Sequence, residues 1–102
     1  MRLSIQELDI IGRAFKAHFA EGDQLWLFGS RVDDHQRGGD LDFYIETQQQ
    51  QTSQAVKNEM AFVGELWRDL GEQKIDTVLK LMRYPDNLPV YKIAKATGVR
   101  IV

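Results

Sequence analysis

A chain of 102 residues with 43% hydrophobic and 27% charged residues has the composition of one folded domain, which excludes an intrinsically disordered protein. The net charge of −2 argues against a dedicated nucleic-acid binder, and no apolar run approaches the roughly 20 residues that span a bilayer. The absence of cysteine excludes disulfides, thiolate catalysis and cysteine-ligated zinc. Without a signal-peptide apolar core near the N-terminus, we expect a cytoplasmic protein. Its small size leads us to expect a homo- or hetero-oligomer.

The first third of the chain predicts a helix, a buried strand and a loop. Ser4 and Glu7 have capping-box spacing, and the helix that they begin is expected to run to about Ala20. Its apolar face comprises Ile5, Leu8, Ile11, Phe15 and Phe19. The bulky apolar run from Gln24 to Phe28 indicates a buried strand, and residues 29–39 form a loop rich in glycine and charge.

A second strand and a second helix follow. The strand is indicated by alternation of Leu41, Phe43 and Ile45 with Asp40, Asp42, Tyr44 and Glu46. The helix is predicted from Ser53 to Leu70, and its apolar stripe comprises Val56, Met60, Val63, Trp67 and Leu70. Phe62 and Leu66 flank that stripe, where we expect additional core or, as the second interpretation, a partner-binding surface.

The last third predicts a strand, a short helix and an extended end. Lys74 to Met82 forms the third strand, with Asp76 on the face opposite to its apolar residues. Pro89 begins a helix that runs to about Thr97, before an extended segment from Val99 to Val102. The chain therefore predicts a single α/β (α+β) domain, with a small mixed sheet of three or four strands flanked by helices.

Three aspartates lie on these strands in a pattern that suggests a metal site. Asp40 and Asp42 point to the same side of their strand, about 7 Å apart, and repel each other unless a cation lies between them. A solitary Asp76 in an otherwise apolar strand is costly to bury. That cost is relieved if its strand lies beside the strand of Asp40 and Asp42, with Asp76 on the same face as these two residues. Three carboxylates could then hold two magnesium ions.

Gly29 and Ser30 come directly after the buried strand and suggest a phosphate-binding turn. Glycine permits close approach of the backbone, and serine offers a hydroxyl and an amide to phosphate oxygens. Arg31 and Arg37 in the following loop could neutralise charge on a leaving pyrophosphate.

Each of these residues also has a simpler interpretation. Asp40 and Asp42 could form the solvated face of an edge strand, and Asp76 could pair with a lysine such as Lys74. Arg31 and Arg37 could be ordinary solvated residues. For the remaining candidates we expect a surface position for His18, a loop position for His35, and core positions for Trp26 and Trp67.

The segment LFGSRVDDHQRGGDLDFYIE resembles the signature of the DNA polymerase beta-type nucleotidyltransferases, and it is most similar to their minimal nucleotidyltransferase group. The resemblance extends over the leading helix, the Gly-Ser strand end, the Asp-x-Asp strand, the aspartate-bearing third strand and the closing IAKATGVRIV. The loop departs from the family pattern, since Val32-Asp33-Asp34 stands where many relatives have Ala-Arg-Gly.

The resemblance implies magnesium-dependent transfer of a nucleoside monophosphate, usually AMP from ATP, to an acceptor hydroxyl. Asp40, Asp42 and Asp76 would be the catalytic and metal-binding residues, and Gly29, Ser30, Arg31 and Arg37 would bind the nucleotide. Members of the group are often antitoxins of small helical HEPN-domain proteins, and some adenylylate a tyrosine of that partner. Two alternatives remain: an antitoxin that neutralises its partner by stoichiometric binding, without catalysis or as an ATP sensor, and a small-molecule transferase of the antibiotic-modifying kind.

Overall fold

The computed structural model describes residues 3–29, 40–85 and 88–102, and its elements follow the predicted order. The elements are α1 (Ile5–His18), β1 (Gln24–Phe28), β2 (Leu41–Thr47), α2 (Thr52–Leu70), β3 (Ile75–Leu81), α3 (Pro89–Thr97) and β4 (Val99–Arg100). The structure confirms the α+β class, with a four-stranded mixed sheet and three helices. None of the described helices is long and apolar enough to cross a membrane.

The sheet has the strand order β3-β2-β1-β4. β2 runs antiparallel to β1 and parallel to β3, and β4 pairs antiparallel to β1. The parallel pair requires a crossover connection, which α2 supplies. Because β2 lies inside the sheet, its interpretation as a solvated edge strand is wrong.

One face of the sheet carries the main core, under α1 and α2. Ser4 caps α1 through the predicted capping box with Glu7. Phe62 of α2 makes edge-to-face ring contacts with Phe15 of α1 and with Phe43 of β2. These aromatic contacts hold α2 against both α1 and the sheet. The sequence predicts Ile5 on the apolar face of α1, but it is exposed at the start of the helix.

The apolar stripe predicted for α2 is not the face that packs on the sheet. The residues that α2 buries completely are Ala55, Phe62 and Leu66, so the expectation of additional core at Phe62 and Leu66 is confirmed. Three residues of the predicted stripe are exposed: Val56 (39%), Met60 (68%) and Trp67 (45%). The expectation of a core position for Trp67 is therefore wrong, whereas Trp26 is buried as expected.

The opposite face of the sheet is covered by α3. Tyr44 packs between the rings of Trp26 and Tyr91, and Ala94 of α3 is fully buried against the same cluster. As a result, the polar side of β2 is buried beyond its first residues, and Tyr44 and Glu46 are inaccessible to solvent. Asp42, at the beginning of this face, is partly exposed.

Candidate functional site

Asp42 and Asp76 occupy the same position in neighbouring parallel strands. The register of β2 and β3 places them directly opposite each other, as the sequence predicted for Asp76. The carboxyl groups are close enough to share a hydrogen bond. Partial burial raises the pKa of Asp42, the carboxylates of Asp76 and Asp40 raise it further, and Lys74 opposes this shift. A positive neighbour would therefore favour the charged form of Asp42.

Lys74 supplies positive charge to this cluster from the residue just before β3. Its Nζ lies 3.7 Å from Oδ2 of Asp40 and 3.9 Å from Oδ2 of Asp76. The ammonium group thus bridges the outer two carboxylates. The pairing of Asp76 with Lys74 that the sequence suggested is present, and it coexists with the aspartate cluster. All three groups are about half exposed or more, so the bridge is solvated and exchangeable.

Gly29 directly follows β1, beside the same cluster. Its φ of +81° lies in the region that favours glycine, and a Cβ atom at this position would collide with Oδ2 of Asp42. Phe28, the residue before it, pairs with Asp42 across the antiparallel β1–β2 ladder. The glycine therefore has a structural role: it leaves room for the Asp42 carboxylate at the mouth of the sheet.

The donor chemistry of this cluster suits a hard divalent cation. Asp40, Asp42 and Asp76 offer only carboxylate oxygens, which magnesium prefers, and one or two such ligands commonly suffice. Within residues 3–29, 40–85 and 88–102, no group of three or more potential ligands is already arranged around a common centre. Lys74 stands between Asp40 and Asp76, where it pairs with both carboxylates. A cation would have to displace that ammonium group.

Two grooves lie elsewhere on the described surface, along α1. One, of about 390 Å³, is lined by Phe19, Asp23 and Val102 among others, and the second, of about 370 Å³, is lined by Arg13 and Arg100 among others. Neither groove includes the three aspartates. The carboxylates themselves, and not a groove, therefore define the candidate site.

A second polar cluster, which the sequence did not predict, is buried under α3. The hydroxyl of Tyr44 donates to Oε2 of Glu46 (2.7 Å), and Nζ of Lys95 lies 3.1 Å from the same oxygen. Burial and the neighbouring Glu46 carboxylate raise the pKa of Tyr44 far above its ordinary range. Lys95 also lies over the ring of Trp26. The sequence signal was the position of Glu46 two residues after Tyr44, on the same side of its strand.

Several predicted residues cannot be assigned a position. Ser30, Arg31, His35 and Arg37 lie outside the described residues, so their predicted roles stay predictions. His18 is described: its Nε2 lies 3.0 Å from Oε1 of Glu65 and links α1 to α2, so it has a partner within the protein.

The candidate site thus unites Gly29, Asp40, Asp42 and Asp76 with Lys74, at the edge where β1 ends and where β2 and β3 begin. Compared with known proteins, the chain matches no protein-family model and no curated protein.

Proposed function

We propose that the chain is a magnesium-dependent nucleotidyltransferase that transfers a nucleoside monophosphate, AMP from ATP in the first instance, to an acceptor hydroxyl. The observation that carries the proposal is the opposition of Asp42 and Asp76 in parallel strands, with Asp40 linked to them through Lys74. The family resemblance of the Gly29-to-Asp42 segment supplies the reaction.

Each residue has a defined task in this reaction. Asp40, Asp42 and Asp76 would hold magnesium, which when bound neutralises charge on the triphosphate. Asp76 accepts the proton of the acceptor hydroxyl. The acceptor oxygen forms a bond to the α-phosphorus as the bond to the bridging oxygen breaks, and pyrophosphate leaves. Gly29 and Ser30 seat the phosphates, and Arg31 and Arg37 balance the charge of the leaving group.

The acceptor we propose is a tyrosine of a small helical HEPN-domain toxin, which makes the chain the antitoxin of a pair. This part rests on the resemblance alone. It includes a cytoplasmic location and a hetero-oligomeric complex, without membrane attachment or direct nucleic-acid contact.

The test is transfer of label from α-labelled ATP to a co-expressed small helical HEPN-domain protein, with magnesium present. The Asp40→Asn, Asp42→Asn double variant should lose transfer and keep its fold by circular dichroism. The matched control is Asp69→Asn, on the exposed side of α2, which should retain full transfer. Mass spectrometry should find one adenylate on a partner tyrosine. Full transfer by the double variant would refute the proposal.

The second candidate function is a non-catalytic antitoxin or ATP sensor that acts by stoichiometric binding. It is favoured by one observation: Lys74 already pairs with two of the three carboxylates, Asp40 and Asp76. This alternative predicts that the double variant still protects cells from the toxin, and that no adenylate is found on the partner.

A further inference from the structure

We propose that the outer edge of β3 and the exposed apolar residues Val56, Met60 and Trp67 of α2 form a self-complementary interface, through which two copies of this chain join their sheets around a two-fold axis. β3 is the last strand of the sheet, and within the described part of the chain it pairs only with β2. Such an edge presents unpaired N–H and C=O groups that can accept a further strand.

The backbone of β3 shows which residues offer these groups. Lys74 O accepts from Leu41 N, and Met82 N donates to Thr47 O, so the even-numbered residues direct their backbone groups at β2. By the alternation of a strand, the odd-numbered residues from Ile75 to Leu81 direct theirs outward. These residues are the ones that can bond to a second copy.

One antiparallel register uses the whole strand and matches charge. With Val78 on the two-fold axis, Ile75 lies opposite Leu81 of the second copy and Thr77 lies opposite Leu79, so every outward-directed residue is paired. In the same register Asp76 lies opposite Lys80 of the second copy, twice by symmetry, and opposite charges at such positions attract. A shift that centres Thr77 instead would set Lys74 opposite Lys80, which is repulsive.

The exposed apolar side of α2 lies above the same edge. The indole Nε1 of Trp67 donates to Gln73 O, in the segment that enters β3. On the opposite flank of α2, Glu65 pairs with His18 of α1, and about 200° separates residues 65 and 67 around the helix. Val56, Met60 and Trp67, here called the α2 ridge, therefore overhang β3 on the side away from α1.

The outer edge of β3 and the α2 ridge both fit a second copy of this chain. Two-fold pairing of β3 continues one sheet through both copies and brings the two α2 ridges onto the same face. The ridge has the i, i+4, i+11 spacing of a packed helix face and is nevertheless exposed in the single chain. The dimer would also bring Lys80 of the second copy to Asp76, at the candidate site.

Sedimentation equilibrium of the full chain tests the interface. We expect a mass of twice 11.8 kDa. Lys80→Asp and Asp76→Lys should each weaken the dimer by roughly tenfold or more, because like charges then face each other. An equimolar mixture of these two variants should form a heterodimer, since their charges are again complementary. Met60→Lys should also favour the monomer. The control Ile93→Lys, at an exposed apolar position on α3, should leave the mass unchanged.

Disulfide trapping tests the register. Because the chain has no native cysteine, an introduced cysteine can cross-link only to its copy in the second chain. Val78→Cys should cross-link two copies, because non-hydrogen-bonded antiparallel partners lie about 4.5 Å apart at Cα, within the disulfide range. Thr77→Cys should not cross-link, because Leu79 is its partner.

A wild-type chain that is monomeric over the whole concentration range, or a dimer insensitive to Lys80→Asp and Met60→Lys, would overturn the proposal. Capture of a strand from another protein by a monomeric chain would do so as well.

Discussion

Gly29 and Asp42 are fitted to each other, since a Cβ atom at residue 29 would occupy the space of the Asp42 carboxylate. Gly29 also has a φ of +81°, which costs a side-chain-bearing residue additional strain. We expect Gly29→Ala to lower the free energy of unfolding by about 1–3 kcal/mol, measured by urea denaturation.

The control for that variant is Gly64→Ala on α2, where a Cβ atom has no neighbour within 4 Å. This change should stabilise the helix by up to about 1 kcal/mol. In an Asp42→Ala background the cost of Gly29→Ala should fall, because only the backbone strain remains. An equal cost in both backgrounds would show that the collision has no energetic effect.

The raised pKa of Asp42 predicts a stability that depends on pH. Burial and the carboxylates of Asp76 and Asp40 raise this pKa, so between 3.8 and the raised value the folded state binds more protons than the unfolded state. Stability of the wild-type protein should therefore fall as pH rises through that window. Asp42→Asn removes the penalty, and we expect its Tm to exceed that of the wild type by roughly 2–5 °C near neutral pH.

The measurement for Asp42→Asn is a set of thermal melts by circular dichroism from acidic to neutral pH, without divalent cations. The gain in Tm should shrink as pH falls below the ordinary carboxylate pKa, since Asp42 is then protonated in both states. Asp69→Asn serves as the control on an exposed helix face and should show no such trend. A gain that is constant with pH would exclude charge repulsion as its cause.

The local signals in the sequence were sufficient for most element boundaries. β1 and α3 begin and end at the predicted residues, because a bulky apolar run defines the first and Pro89 with Gly98 defines the second. Strand alternation also placed Asp42 and Asp76 on one face, and the register confirms that placement. The element boundaries, and the side of its own strand on which each aspartate lies, depend on neighbours in the chain, which periodicity records.

Most features that depend on distant residues were not predicted, whereas the pairing of the two aspartate-bearing strands was inferred from the cost of burying a solitary Asp76. Two apolar stripes overlap on α2, and the choice between them is made by the ring contacts of Phe62 with Phe15 and Phe43. The burial of Glu46 required knowing that α3 covers that face and brings Lys95 to it. The bridging position of Lys74 between two carboxylates likewise follows from the pairing of β3 with β2.

Lys74 should compete with a divalent cation for the aspartate cluster. Its ammonium group lies within 4 Å of carboxylate oxygens of Asp40 and Asp76, so a bound cation must displace it. We expect Lys74→Gln to bind magnesium roughly several-fold more tightly than the wild type. Calorimetric titration with magnesium chloride measures this affinity.

The control for Lys74→Gln is Lys57→Gln on the exposed side of α2, which changes the net charge equally and should leave magnesium affinity unchanged. Asp42→Asn with Asp76→Asn should abolish the binding. Weaker binding by Lys74→Gln would mean that the lysine supports the site instead of competing with the cation.

Lys95 should be required for stability because it neutralises a buried carboxylate. Glu46 is 5% exposed, and Oε2 of its carboxylate has Tyr44 and Lys95 as neighbours. Lys95→Met removes the charge partner, and we expect a loss of about 2–4 kcal/mol in the free energy of unfolding. This loss is smaller than for a fully buried ion pair, because Lys95 itself is half exposed.

The control is Lys92→Met on the same helix, which should cost little free energy of unfolding in urea denaturation. Adding Glu46→Gln to Lys95→Met should restore most of the loss, since no buried charge then remains. If both lysine variants lose the same stability, the loss comes from helix packing and not from the charge pair.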